Sequence, residues 1–391
     1  MGWMTSFMYF GYSKRFHLHS AKKIPDSNVF GVLWEENQRC TMTTRKKAII
    51  ITDYAGYVRE NFYPENGVNL EVMVRKLRDY GVEAQITGYQ DLANSTFEIK
   101  DTLILYSSSQ QPDYKAYIDD ILYELSKHNQ VVPRYEIFRA HENKGYQELL
   151  KAAHGFSSLH CHYLATARDF LNIADQINYP VVIKKMDGSM SKNVVKADTR
   201  EEAVRHVHKF TQPAQPIRYF LSKWLDQFIL KKKYVNYERE TDYIGRYVVQ
   251  QFVPGLQEDW RVLVCGDKYY VLKRGVRKHD FRASGSGLFT FDHPPEGMLD
   301  YAKSLYTKLD SPFLSMDICK HEGGFDVFEF QGTHFGPAAI INSEHYYRQH
   351  AQGTWEKVVG KSNYSEVYIE AIISYLDHTT GFNRDAATSP G

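Results

Sequence analysis

Two lysines followed by a small, polar loop give the first indication of chemistry. Lys184 and Lys185 end an apolar run, and the loop that follows, 187–193, contains Gly188, Ser189 and Ser191. Positive charge, hydroxyl donors and a backbone that permits close approach suit a phosphate chain. The Walker A spacing is absent, so the segment predicts a flexible hairpin over phosphates. A surface hairpin with solvated lysines is the alternative.

A strand that runs into a turn follows further along the chain. Residues 247–255 read YVVQQFVPG and contain Gln250, Gln251, Phe252 and Val253. Such a strand end can offer a purine edge one carbonyl and one N–H, while the phenyl ring and the valine supply an apolar wall. Taken alone, the segment is better explained as an ordinary interior strand.

Basic residues are concentrated just beyond this turn. Segment 273–282 contains five Lys or Arg residues against one Asp, in a chain whose 48 basic and 47 acidic residues almost cancel. This local excess predicts an anion site that the net charge of +1 does not reveal.

Three oxygen-bearing side chains are predicted to meet on a hairpin. Asp317 precedes, and Glu329 and Gln331 follow, a turn at Gly323 and Gly324. Glu329 and Gln331 share one strand face, and Asp317 on the partner strand can join them. Oxygen ligands with an incomplete shell suit Mg²⁺, which completes its coordination with waters and phosphates. The alternative is a salt-bridge network in which these acids pair with Arg274 or Arg282.

In this order and spacing the segments resemble the ATP-grasp superfamily of carboxylate–amine ligases, near glutathione synthetase, D-alanine:D-alanine ligase and the ribosomal-protein glutamate ligase. The resemblance covers residues 42–378, with its specific motifs between Asn143 and Pro337. The cofactor-binding residues that it implies are Lys144, Lys184, Gly188, Ser189, Ser191, Gln250, Gln251, Phe252, Val253 and Asp259. It implies catalytic roles for Arg274 and Arg282, and metal binding by Asp317, Glu329 and Gln331.

The sequence departs from the family pattern at two positions and in one loop. Ser284 stands where the family often has Asn, and Gln331 replaces the Asn of the E-x-N metal signature. Gln keeps the amide oxygen on a longer arm, so metal binding is still expected. Residues 331–337, QGTHFGP, replace the usual N-x-x-P-G loop, which points to an unusual substrate.

The resemblance implies ATP-dependent formation of an amide bond. A carboxylate would become an acyl phosphate, an amine would attack it, and ADP and phosphate would leave, with Mg²⁺, or Mn²⁺ in its place, on the phosphates. The expected partners are small-molecule or peptide carboxylates and amines, and a homodimer fits the family. Two alternatives remain open: a small-molecule kinase on the same fold, and a non-catalytic ATP-binding module.

A histidine-rich stretch offers a weaker candidate. His160, Cys161 and His162, together with His154, could form a zinc cluster, but adjacent ligands on regular structure cannot all face one ion. Cys161 as a nucleophile lacks a recognisable base.

The elements that must position these residues indicate an α/β (α+β) protein. Apolar runs at 48–52, 102–106 and 131–132 alternate with helical patterns at 68–80 and 114–128, which predicts a small parallel sheet. The predicted organisation is a tail or mis-assigned start (1–41), a pre-ATP-grasp domain (42–140), a linker helix with the small ATP-grasp subdomain and an insertion (141–246), a C-terminal subdomain (247–378) and a disordered tail (379–391).

Composition sets the outer limits. At 391 residues, 43% hydrophobic and 24% charged, the chain is typical of a globular protein and long enough for two or three packed subdomains. Four scattered cysteines without C-x-x-C spacing fit a reducing cytoplasm. The near-zero net charge and the short apolar runs predict neither a nucleic-acid nor a membrane partner.

Overall fold

Three sheets organise the part of the chain that the structure describes. The computed structural model describes residues 46–58, 67–94, 98–156, 159–186, 193–230, 243–277, 280 and 287–379. All of them belong to one unit, Arg45–Gly391.

The first sheet is parallel, with strand order β2-β1-β3-β4. Its strands are β1 (Lys46–Thr52), β2 (Val82–Gly88), β3 (Leu103–Tyr106) and β4 (Gln130–Val132). Its helices are α1 (Leu70–Asp79), α2 (Tyr89–Ala93), α3 (Pro112–Ser126) and α4 (Tyr135–Ala140). The side chain of Asn69 caps α1, which buries Met73 and Leu77 against the sheet. The predicted small parallel unit is confirmed.

The second sheet is antiparallel, with order β5-β8-β6-β7. It consists of β5 (Cys161–Thr166), β6 (Val181–Lys185), β7 (Val194–Ala197) and β8 (Ile244–Gln251). Helix α5 (Lys144–Ala153) precedes this sheet in the chain. The helices that follow β5 and β7 are α6 (Ala167–Ile173), which continues into a 3-10 turn (Ala174–Gln176), and α7 (Arg200–Thr211). Phe170, Ile183, Val207 and Tyr247 form the centre of its core. The sequence had not predicted β5.

The third sheet has the order β13-β12-β9-β10-β14-β15, with β11 paired to β10. Its strands are β9 (Glu258–Cys265), β10 (Lys268–Gly275), β11 (Phe289–Thr290), β12 (Phe313–His321), β13 (Gly324–Gln331), β14 (His345–Gln349) and β15 (Trp355–Val359). Its helices are α9 (Met298–Leu309), α10 (Ala338–Asn342) and α11 (Tyr364–Thr379). The predicted hairpin is confirmed, and Gly324 takes the left-handed backbone that its turn requires (φ +122°).

The two faces of the third sheet pack against different parts of the protein. Trp260, Val262 and Val264 of β9 pack against α9. Alternating with them, Leu263 and Cys265 join a core shared with α11 and the first sheet. Asp259 and Arg261 extend that second face beyond the apolar core, because side chains alternate along a strand. One sheet therefore carries both a core and a charged surface.

Part of the segment 141–246, which is predicted to contain an insertion, forms a further helix. It comprises α8 (Pro216–Trp224) and a π-helical turn (Leu225–Ile229). None of their residues is buried. In the described ranges no helix is both long and apolar enough to cross a membrane.

Candidate active site

A cavity of about 310 Å³ lies between the second and third sheets. It is lined by Lys144, Val182, Lys184, Val194, Gln250, Gln251, Phe252, Val253, Gly255, Leu256, Gln257, Glu258, Asp259, Val276, Asp280, Asp317, Phe328 and Glu329. Every described residue that the sequence assigned to cofactor binding lines it, as do two of the three predicted metal ligands. Gly188, Ser189, Ser191 and Arg282 lie outside the described residues.

Two lysines supply the cationic part of the lining. On β6, Val182 and Lys184 face the cavity, while Ile183 points to the core on the other side. The Lys184 Nζ lies 5.3 Å from the centre of the Phe328 ring, and burial lowers the pKa of this lysine below its ordinary value. Lys144 is the first residue of α5 and is almost fully buried. Its Nζ lies 3.9 Å from Oε1 of Glu329.

Another part of the lining is mostly apolar. Val182 and Val194 come from paired strands, and Phe252 follows the end of β8. Gln250 lies directly opposite Val182 in the sheet, and its buried Nε2 has no hydrogen-bond partner among the described residues. A flat ligand with a hydrogen-bond acceptor at its edge would satisfy both the apolar surface and this amide.

Asp317 takes part in an ion-pair network. Its carboxylate accepts two hydrogen bonds from Arg261, at 2.9 and 3.1 Å, and lies 2.9 Å from Nη2 of Arg274. Arg274 also donates two hydrogen bonds to Asp259, at 2.6 and 2.7 Å. Strand register explains the arrangement, since Asp259 opposes Arg274 and Arg261 opposes Asp317. For Asp317 the structure therefore shows a salt-bridge network, which was the alternative to metal binding that the sequence left open.

At Asp317 the neighbouring charges outweigh burial in setting the pKa. Burial alone would raise the pKa of Asp317, but the guanidinium groups of Arg261 and Arg274 hold it well below its usual range. Asp317 is therefore a carboxylate at any physiological pH.

Glu329 and Gln331 behave as the strand period predicted. They share one face of β13, and Gln331 Nε2 donates to Glu329 Oε1 at 2.9 Å. Oε1 of Gln331 is buried and has no partner in the described part of the chain. Asp317 stands directly opposite Glu329 in the hairpin. Two oxygen donors are thus available side by side, with the third committed to arginines.

These oxygens fit Mg²⁺ as an incomplete set. Among the described residues, no three His, Cys, Asp or Glu side chains are grouped so as to hold a metal ion. A Mg²⁺ ion that keeps waters and phosphate oxygens needs only one or two protein ligands, and the unpartnered Gln331 oxygen beside the Glu329 carboxylate meets that need.

A polar face of α5, not predicted from the sequence, connects the two sheets. Gln147 donates to the Ala140 carbonyl and accepts from the Phe330 N–H. Lys151 lies 2.7 Å from Glu148 and donates to the Val327 carbonyl at 3.0 Å. Lys144, Gln147, Glu148 and Lys151 are spaced i, i+3, i+4 and i+7, so they lie on one face of the helix. This spacing could have indicated from the sequence that the helix buries its polar side. The contacts fix Lys144 relative to β13.

The histidine-rich stretch has a structural role. Cys161 begins β5 and its backbone pairs with Gln250, while burial raises the pKa of its thiol to about 12. Such a thiol is a poor nucleophile at neutral pH. In the described ranges Cys161 and Cys319 are free cysteines.

Comparisons with known proteins bear on the fold. No family model matches the chain, and no curated protein matches it either. Among solved structures, a D-cycloserine synthetase is 14% identical, with a TM-score of 0.49, 84% of this chain covered and 99% of the other. The D-alanine–D-alanine ligase from Bacillus anthracis complexed with ATP is 13% identical, with a TM-score of 0.45 and coverages of 86% and 99%.

A third solved structure is an ATP-grasp ligase complexed with a precursor peptide and AMPPNP. It is 12% identical, with a TM-score of 0.41, and the match covers 76% of this chain and 92% of the other. The chain is similar to ATP-grasp ligases among the solved structures, at TM-scores below 0.5. At this level of identity the likeness concerns the fold alone, so the chemistry has to follow from the chain's own residues.

Proposed function

We propose that the protein is an ATP-dependent ligase that joins a carboxylate to an amine through an acyl phosphate. One observation carries the proposal. The cavity between two antiparallel sheets joins an apolar lining, with a Gln250 amide that has no partner among the described residues, to two lysines and to the Glu329 carboxylate, which accepts a hydrogen bond from Gln331. The apolar lining suits a purine, the two lysines suit a triphosphate, and the oxygen ligands suit a divalent cation.

The lining assigns each part of ATP to residues. The purine would lie between Val182, Val194 and Phe252, with Gln250 at its edge. Lys184 and Lys144 would neutralise the phosphates, since both ammonium groups belong to the same cavity wall. When bound, Mg²⁺ would be held by Glu329 and Gln331 and would neutralise phosphate charge.

The arginine network would act as a support. Arg274 is held by two carboxylates, so we assign it the role of keeping Asp259 and Asp317 in place rather than of touching the phosphoryl group. A direct catalytic role is retained for Arg282, which lies outside the described residues.

The chemistry follows from the weakness of a carboxylate as an electrophile. Transfer of the γ-phosphoryl group to a carboxylate oxygen breaks the bond to ADP and forms an acyl phosphate. The amine then attacks the carbonyl carbon, loses a proton, and phosphate leaves. Catalysis is mostly positioning and charge neutralisation, which fixed lysines provide. Small-molecule or peptide carboxylates and amines are the proposed substrates.

A substrate panel tests this function. The purified protein, ATP and Mg²⁺ are incubated with carboxylates and amines, singly and in pairs, and ADP and inorganic phosphate are measured separately. A ligase forms both in equal amounts when the matching pair is present. ADP without inorganic phosphate would identify a kinase, and no ATP consumption with any pair would favour a non-catalytic binding module.

Nucleotide affinity should depend on pH through Lys184. The protonated amine binds phosphate, and its folded pKa is already lowered by burial. Once the terminal phosphate is fully ionised, affinity should therefore stay constant with rising pH and then fall as pH passes through that lowered pKa, before ordinary lysines lose their protons. Calorimetric titration with a non-hydrolysable ATP analogue across pH measures this. The variant Lys184→Arg, which stays charged, should lose the early fall, whereas the same early fall in the variant would contradict the assignment.

A further inference from the structure

A helix outside the two-sheet site exposes the face that a helix normally buries. In α8 and the π-helical turn after it, Ile217 is 86% exposed, Trp224 50% and Phe228 57%. The exposed apolar face comprises Ile217, Phe220, Leu221, Trp224, Leu225 and Phe228. No residue of either segment is buried.

The spacing shows that this exposure is patterned. Within α8, Ile217, Phe220, Leu221 and Trp224 occur at i, i+3, i+4 and i+7, which places them on one side of the helix. The Phe228 ring, in the π-helical turn, continues this side, since its centre lies 5.9 Å from that of Trp224. Arg218 and Ser222 fall on the other side of α8, together with Tyr219. Scattered exposed side chains are common on protein surfaces, but a continuous apolar ridge marks an interaction site.

The charges within α8, and in the sequence that follows its π-helical turn, indicate what would cover the ridge. Arg218 and Lys223 lie within α8, and the sequence continues directly with Lys231, Lys232 and Lys233, against Asp226 alone. This local excess arises in a chain with a net charge of only +1. Two copies packing through this ridge would bring their basic residues together, whereas an anionic surface would be attracted to them.

We propose that the exposed apolar face of α8 inserts into the surface of a membrane that contains anionic lipids. Aromatic and aliphatic side chains on one face, with Lys and Arg beside them, are the pattern of helices that lie in the plane of a bilayer interface. The sequence-based expectation of no membrane partner rested on net charge and span length, and neither quantity measures a local amphipathic helix.

Vesicle co-sedimentation of the full chain tests the proposal. The protein should sediment with vesicles of phosphatidylcholine and phosphatidylserine, and less with phosphatidylcholine alone or at high salt. The double variant Trp224→Ser/Phe228→Ser should partition roughly tenfold more weakly or worse, because two large apolar side chains no longer leave water. If that variant fails to fold by circular dichroism, Ile217→Ser/Leu221→Ser replaces it.

A matched control removes apolar side chains elsewhere. Ile86 and Leu171 are 45% and 41% exposed, and Ile86→Ser/Leu171→Ser should bind vesicles like the unmodified protein. Equal binding by the Trp224 and Phe228 variant, or no binding to anionic vesicles by the unmodified protein, would overturn the proposal. A dimer that only this variant loses, without vesicle binding, would instead make the ridge an interface between two copies.

Discussion

Replacement of Lys184 by Met should abolish ADP formation and weaken nucleotide binding by roughly a hundredfold, because a charge-assisted contact to phosphate contributes about 3 kcal/mol. Met keeps the aliphatic part of the side chain and its contact with Phe328. The far-UV circular dichroism spectrum should therefore remain native. Calorimetry with a non-hydrolysable ATP analogue and an ADP assay give the two readouts.

Lys185 provides the matched control for this experiment. It follows Lys184 on β6, and side chains alternate along a strand, so it points away from the cavity. Lys185→Met should retain nucleotide affinity and turnover within about twofold, since only a distant charge is lost. Full turnover by Lys184→Met, or an equal loss in both variants, would reject the placement of the phosphates.

Replacement of Arg274 by Met should destabilise the protein by about 3–5 kcal/mol, the usual cost of leaving a buried charge unpaired. Asp259 would lose both of its hydrogen bonds from Arg274, and Asp317 would keep only Arg261. Urea unfolding of the full chain measures the change in the free energy of unfolding. Arg200→Met is the control, because its ion pair with Asp175 is largely exposed and should contribute about 1 kcal/mol or less.

The network also predicts the direction of acid sensitivity. The pKa of Asp317 is lower in the folded than in the unfolded chain, so its contribution to stability is fully present above the unfolded pKa of about 4. The contribution fades as pH falls from there toward the folded pKa. In Arg274→Met the folded pKa of Asp317 should rise toward the unfolded value, because one of the two stabilising charges is gone, so the contribution should be smaller and its loss complete at a higher pH. An unchanged acid profile would contradict the described pairing.

Local sequence pattern was sufficient for part of the site. The family resemblance singled out Lys184, which lines the cavity. The two-residue period of a strand put Glu329 beside Gln331, and the Gly-Gly turn placed Asp317 opposite Glu329. Each of these relations spans one strand or one hairpin, so neighbouring residues determine it. The parallel sheet was predicted for the same reason, because its strands are continuous apolar runs.

Relations between distant strands could not be predicted in the same way. Arg261 meets Asp317 only because β9 pairs with β12, and their register depends on the whole sheet. β5 has a half-exposed, mixed sequence with neither an apolar run nor clean alternation, so it gave no strand signal. The apolar ridge of α8 had a helical period, but the basic and aromatic residues around it obscured the pattern. The roles of Gly188, Ser189, Ser191 and Arg282 stay predictions.

The fate of one oxygen atom tests the central claim most directly. A carboxylate substrate found in the panel is labelled with heavy oxygen in its carboxyl group, and the products of one turnover are examined by phosphorus NMR and mass spectrometry. Formation of an acyl phosphate requires that one labelled oxygen leave in the inorganic phosphate, beside ADP and the amide product. Unlabelled phosphate, or AMP and pyrophosphate in place of ADP and phosphate, would contradict the proposed reaction.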